Sequence, residues 1–167
     1  MIGIRNELPA DVAAIDAVTR AAFTSARHSS GTEHAIVRAL RDAGRLAVSL
    51  VAEADGEVVG HVAASPVTVT DGSTGWYGLG PVSVAPAHQR RNIGATLVTR
   101  ALSSLRAAGA AGCVVLGDPG YYARFGFRPE PRLVLPGVPA GYFQALPFDA
   151  DRPAGEVAYH AAFEATA

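Results

Sequence analysis

Val82-Ser83-Val84-Ala85-Pro86-Ala87-His88-Gln89-Arg90-Arg91-Asn92-Ile93-Gly94-Ala95 is the stretch that decides the fold. A β-rich run stops at Pro86, which cannot extend a central ladder. After a short loop, Leu97, Val98, Ala101, Leu102 and Leu105 recur at helical spacing, so the spacing predicts a helix over 93–108. The first turn of such a helix carries unpaired N–H groups and the positive end of its dipole, which together make an anion site. Arg90 and Arg91 sit at that end, where cations are unfavourable without a bound anion. Gly94 and Ala95 keep the turn free of bulk, so a phosphate can approach the backbone. An ordinary solvated strand-helix loop would read the same way on this stretch alone.

Working outward, Trp76 to Val84 reads as a strand preceded by two others, Leu46 to Glu53 and Glu57 to Val69. Asp55-Gly56 between those two is a hairpin signal. Upstream lie a short strand at Ile2 to Glu7, a helix opened by Pro9 and Asp11, and a second helix carrying Ile36, Val37 and Leu40. Downstream, Cys113 to Leu116 is a short buried strand, and Asp118-Pro119 caps a brief helix from Gly120 to Phe125 that Gly126 ends. Beyond Arg128 lie six of the 11 prolines, with strand-like pieces at Tyr142 to Phe148 and Glu156 to Phe163. The order is β-α-α-β-β-β-α-β-α-β-β, an α/β arrangement of a mixed sheet with helices packed on it.

Composition narrows the function. The 167 residues suit one domain, and 49% hydrophobic against 17% charged excludes a disordered chain. A net charge of −1 lacks the basic footprint of a nucleic-acid binder, and all 14 cations are arginine. The lone Cys113 excludes a disulfide framework or a multi-cysteine zinc site, and no histidine pair has metal-ligand spacing beside a carboxylate. No apolar run reaches about 18 residues. Arg5 and Glu7 follow Met1 without an apolar segment, so neither membrane span nor signal peptide is expected and the location is expected to be cytoplasmic. A nucleotide-phosphate loop of the Walker type is disfavoured, because it requires a lysine and the chain has none.

Gly117-Asp118-Pro119-Gly120-Tyr121-Tyr122-Ala123-Arg124-Phe125-Gly126-Phe127 is the second informative stretch. Together the two stretches resemble the GNAT superfamily of N-acetyltransferases. Gln89, Ile93 and Gly94 match its Gln/Arg-x-x-Gly-x-Gly/Ala signature in register. Asn92 replaces the first glycine, a mild departure because Asn tolerates a left-handed backbone. Tyr122, four positions before Gly126-Phe127, matches the family's tyrosine, and the wording of the stretch is similar to one bacterial subgroup. The element order agrees over 2–127, with 128–167 a looser match within one acetyl-CoA-binding domain.

The resemblance implies a GNAT-like, mostly antiparallel sheet flanked by helices, with acetyl-CoA as cosubstrate and no metal. Its pyrophosphate would rest on the N–H groups from Arg90 through Arg91, Asn92, Ile93 and Gly94 to Ala95. Gln89 completes the loop. The pantetheine would lie along Val82, Ser83 and Val84 like an added strand. Pro81 lacks an N–H, so the donors must start at Val82. A primary amine of a small molecule or peptide would attack the thioester directly, and Tyr122 would protonate the departing thiolate. Tyr121, about 100° round the helix, would be structural or line the substrate.

The family's usual strand carboxylate is missing between Trp76 and Val84. Glu33, on the stripe of Ile36, Val37 and Leu40, is a candidate base; equally, Ser30-Gly31-Thr32-Glu33 reads as a capping box. His61 is a further candidate base. His28, His34, His88 and His160 carry no motif and are expected at the surface, and Cys113 is expected in the core. The acceptor loops would be Ser25 to Thr32 and the proline-rich tail. The missing carboxylate also admits a degenerate acyl-CoA-binding sensor, and the chain would act as a monomer or homodimer.

Overall fold

The computed structural model describes residues 2–24 and 29–166. Strand β1 (Ile2–Asn6) pairs antiparallel with β2 (Val48–Ala54), which pairs with β3 (Glu57–Val69), which pairs with β4 (Trp76–Val84). The β2–β3 hairpin turns at Asp55 and Gly56, whose φ angles of 52° and 81° are the left-handed pair that a two-residue turn requires. β4 then lies parallel to β5 (Gly112–Leu116), the change of direction being made by helix α3 (Ile93–Ala107). β5 pairs antiparallel with β8 (Phe143–Pro147), and β8 with the short β6 (Arg128–Pro129). β9 (Gly155–Tyr159) pairs with the end of β3 and with β7 (Leu133–Val134). The sheet is therefore mixed and mostly antiparallel.

The expected tail strand over 156–163 is divided. Only its first part is strand, and Ala161–Glu164 is a 3-10 turn capped by His160, whose Nδ1 accepts from the Ala162 N–H at 3.0 Å. The short β6 and β7 escape sequence reading, since two-residue strands have no detectable period.

Helices α1 (Val12–Thr24) and α2 (Glu33–Asp42) cover one face of the sheet, and α3 the other. Alternation along β3 feeds both layers. Val62 and Ala64 pack with Leu97, Val98 and Leu102, whereas His61 turns toward the α1–α2 side. On that side, Ile15, Val37 and Val51 form a separate cluster. At Gly60 a Cβ would meet Leu97 Cδ1 at 3.0 Å and Ile93 Cγ2 at 3.3 Å. The missing side chain lets the first turn of α3 sit against the sheet where β4 ends.

Candidate active site

Pairing between β4 and β5 runs from Trp76/Gly112 to Leu79/Val115 and goes no further. Past Leu79, β4 keeps β3 on one side and, among the described residues, has no strand on the other. Ala85 donates its N–H to the Val59 carbonyl at 2.8 Å, so by alternation Ser83 also faces β3 while Val82 and Val84 face the open side. The Ser83 side chain is buried, its hydroxyl 3.4 Å from that of Thr19. Of the three β4 residues expected at the cofactor, Ser83 is thus turned away by strand geometry.

At the end of β4, the loop enters α3 through two left-handed residues, Arg90 (φ 66°) and Asn92 (φ 62°). Asn92 adopts the conformation anticipated for it. The first bond of the helix joins the Thr96 N–H to the Asn92 carbonyl at 3.0 Å, and no described acceptor takes the N–H groups of Ile93, Gly94 or Ala95. Gln89 Nε2 donates to the Val84 carbonyl at 3.0 Å, tying the loop back to the strand. These residues line a cavity of about 320 Å³ together with His88, Tyr121 and Arg124. Arg91 is exposed and does not line it.

Helix α4 (Pro119–Tyr122) starts at Asp118, whose Oδ1 accepts from the Gly120 N–H at 2.8 Å. Adjacent positions on it serve different cavities. Tyr121 closes over α3: a Cβ at Gly94 would lie 3.6 Å from its hydroxyl. Arg124 stacks on the Tyr121 ring at 4.3 Å and donates to the Tyr121 carbonyl. Sequence reading missed Arg124 altogether, although its i+3 relation to Tyr121 is local.

Tyr122 faces a larger cleft of about 510 Å³, whose floor includes Leu79, Gly80, Pro81 and Val82. Its ring packs edge-on against Phe127 and Tyr121. Burial, reinforced by Tyr121 and Cys113, pushes its hydroxyl pKa up to about 12, so the side chain is a neutral donor at physiological pH. Tyr159 lines the same cleft; its hydroxyl is buried without a described partner and burial holds it strongly protonated. Cys113 is fully buried, and burial pushes its thiol far up.

Glu33 also lines this cleft. Only half of the expected capping box forms: Glu33 accepts from the Ser30 N–H, but the Ser30 hydroxyl takes no bond from the Glu33 N–H. Gly31 at φ 76° breaks the helical path, Thr32 becomes the N-cap without a side-chain bond, and Glu33 is the first helical residue instead of the third. Its carboxylate accepts from the Ser29 hydroxyl at 2.9 Å and the Ser30 N–H at 3.3 Å. Of the two expected acceptor segments, only the tail has described residues lining the cleft. Phe23 and Glu33 flank the first, of which 25–28 lie outside the described residues, and Leu135, Val138 and Phe163 come from the tail.

His61 is fully buried and does not line the cleft. Its Nε2 lies 2.8 Å from the Ser49 hydroxyl, which bonds Glu7, and Glu7 accepts two bonds from Arg41 at 2.9 and 3.0 Å. Desolvation holds its pKa down at about 4, opposed by Glu7 and assisted by Arg41. Between about pH 6.5 and 4 the unfolded chain binds the proton that the native imidazole refuses. Stability therefore falls as pH falls through that window, by on the order of 1–3 kcal/mol. Equilibrium unfolding at pH 7 and pH 5 should show the drop, and His61→Gln should flatten it; an unflattened drop would place the titration elsewhere. His34 is buried too, its Nε2 without a described partner, because the α1–α2 contact closes over it. His28 lies outside the described residues.

The parallel strand pair that parts after Leu79, the unpaired helix N-terminus beside Arg90 and Arg124, and the neutral Tyr122 together leave a site suited to an extended anionic ligand. The chain belongs to the acetyltransferase (GNAT) family, whose model matches residues 13–127, and it is an acyltransferase. It is 40% identical over 126 residues to the uncharacterized N-acetyltransferase YhbS of Escherichia coli K12, covering 75% of this chain and 72% of that one. A crystallised GNAT family acetyltransferase from Brucella melitensis, in complex with acetyl-CoA, is 52% identical, with TM-score 0.87 and 98% of each chain covered. The crystal structure of YhbS from Escherichia coli in complex with CoA gives TM-score 0.88 at 36% identity, covering 98% of this chain and 92% of that one.

Proposed function

We propose that this chain moves the acetyl group of acetyl-CoA to a primary amine by direct attack, working as one domain of the bacterial subgroup that its 117–127 wording resembles. The observation that carries the reading is the loss of the β5 partner from β4 beyond Leu79, beside Tyr122. The residues present fit the cosubstrate. Unpaired amides at 93–95, with Arg90 and Arg124 nearby, suit a pyrophosphate, and the free N–H groups of Val82 and Val84 suit a pantetheine amide. When bound, acetyl-CoA supplies an activated acyl group. One of these β4 N–H groups would steady the oxyanion at the thioester carbonyl while the other holds the pantetheine, and the Tyr122 hydroxyl would give its proton to the leaving sulfur. Glu33 accepts the proton that the ammonium must lose. Cys113, sealed in the core, is no candidate for an acyl-enzyme.

A thiol-release assay with a panel of amines tests the reading. Acceptor-dependent CoA release is expected, whereas CoA binding without release would favour a sensor. Glu33→Gln should lower the rate near neutral pH and recover partly as pH rises and free amine accumulates. Its stability should change by less than about 1 kcal/mol, because its partners Ser29 and Ser30 lie in a loop at the surface. An unchanged pH–rate profile in the variant would return proton removal to solvent.

A further inference from the structure

Charge is distributed unevenly between the two cavities. The smaller one carries Arg90 and Arg124. Among the described residues lining the larger cleft, Glu33 is the only charged side chain, and Tyr122 and Tyr159 are the only other polar ones. The remaining walls are apolar, with Phe23, Ile36, Leu116, Leu135, Val138 and Phe163 among them.

We infer that the acceptor is a primary amine on an apolar body, with no carboxylate beside the amine. This rests on the acetyltransfer reading above and names its substrate class. An ammonium entering an apolar cleft needs a counter-ion, and Glu33 is the one available. Both its oxygens are already oriented by Ser29 and Ser30 and keep lone pairs for a further donor, so little ordering remains to be done on binding. A polyamine would press a second charge, and an amino sugar several hydroxyls, against walls that offer them no partner. A free amino acid would set its carboxylate beside Glu33 with no described cation in the cleft to offset it. An alkyl or aryl body is matched by the walls and gains from burial.

Calorimetry on the CoA-saturated protein, run beside the thiol-release assay with acetyl-CoA, tests this. 2-Phenylethylamine and hexylamine should bind about tenfold or more tighter than spermidine, glucosamine or phenylalanine. A peptide beginning with phenylalanine presents the same amine and ring, and its turnover against phenylethylamine separates a chain terminus from a free amine. Leu135→Glu, which adds a second carboxylate to the tail wall, should shift the preference toward spermidine by about tenfold. If that variant fails to fold, the wild-type panel decides alone. Equal or tighter binding of spermidine, glucosamine or phenylalanine, or no binding of the apolar amines, overturns the inference. Tight binding of phenylethylamine with no CoA release leaves the inference standing and removes the acetyltransfer reading.

Discussion

Tyr122→Phe is expected to lower turnover by about 10²–10⁴-fold, the usual loss for a general acid. Phenylalanine keeps the ring and hence its edge-on contacts with Tyr121 and Phe127. Only the proton donor goes. The hydroxyl is held neutral near pH 7 because burial raises its pKa to about 12, so it enters the reaction protonated. The desolvation that disfavours the phenolate disfavours a thiolate in the same site as well, so the gap that matters for the transfer is the roughly 1–2 units between an ordinary phenol and an alkyl thiol. Affinity for acetyl-CoA should change little, since the amides at 93–95 lie in the other cavity. A loss that shrinks with acyl donors of lower leaving-group pKa would support proton donation. Full turnover by the variant on every donor would reduce Tyr122 to packing.

Gly94→Glu is expected to weaken CoA binding by about 10²-fold or more, equivalent to about 2.7 kcal/mol. A Cβ here meets Tyr121 and Val84 only at 3.6 Å, an ordinary contact, so the fold should survive the change. The added carboxylate, however, would lie at the positive end of α3, where its own charge competes for the amides of 93–95 and repels a pyrophosphate. Gly94→Ala separates bulk from charge and should cost far less. Calorimetry on the folded variants reads both. Unchanged affinity in Gly94→Glu would show that the anion is held elsewhere.

Sequence reading carried furthest where the signal is local. Pro86, the 3.6-residue spacing from Ile93 to Leu105 and the Asp55-Gly56 pair each specify backbone within a few residues, and the elements they mark are present. The left-handed Asn92 and the divergence of Tyr121 from Tyr122 follow from backbone sterics and helix pitch in the same way. Glu33 shows where local reading stops: a Ser-x-x-Glu pattern is consistent with a cap, but whether it forms depends on the path of the chain through Gly31, at φ 76°.

The order of strands and helices from β1 to α4, the helix start after β4 and the tyrosine pair were determined by the sequence alone, because propensity, capping and periodicity act between near neighbours. Only the tertiary structure decided that β4 leaves β5 after Leu79, that His61 is sealed while Glu33 reaches the cleft, and that Leu135, Val138, Tyr159 and Phe163 close it. Those facts join residues far apart in the chain. They are fixed by which surfaces pack together and which polar groups are thereby cut off from water, and no short window of sequence contains either.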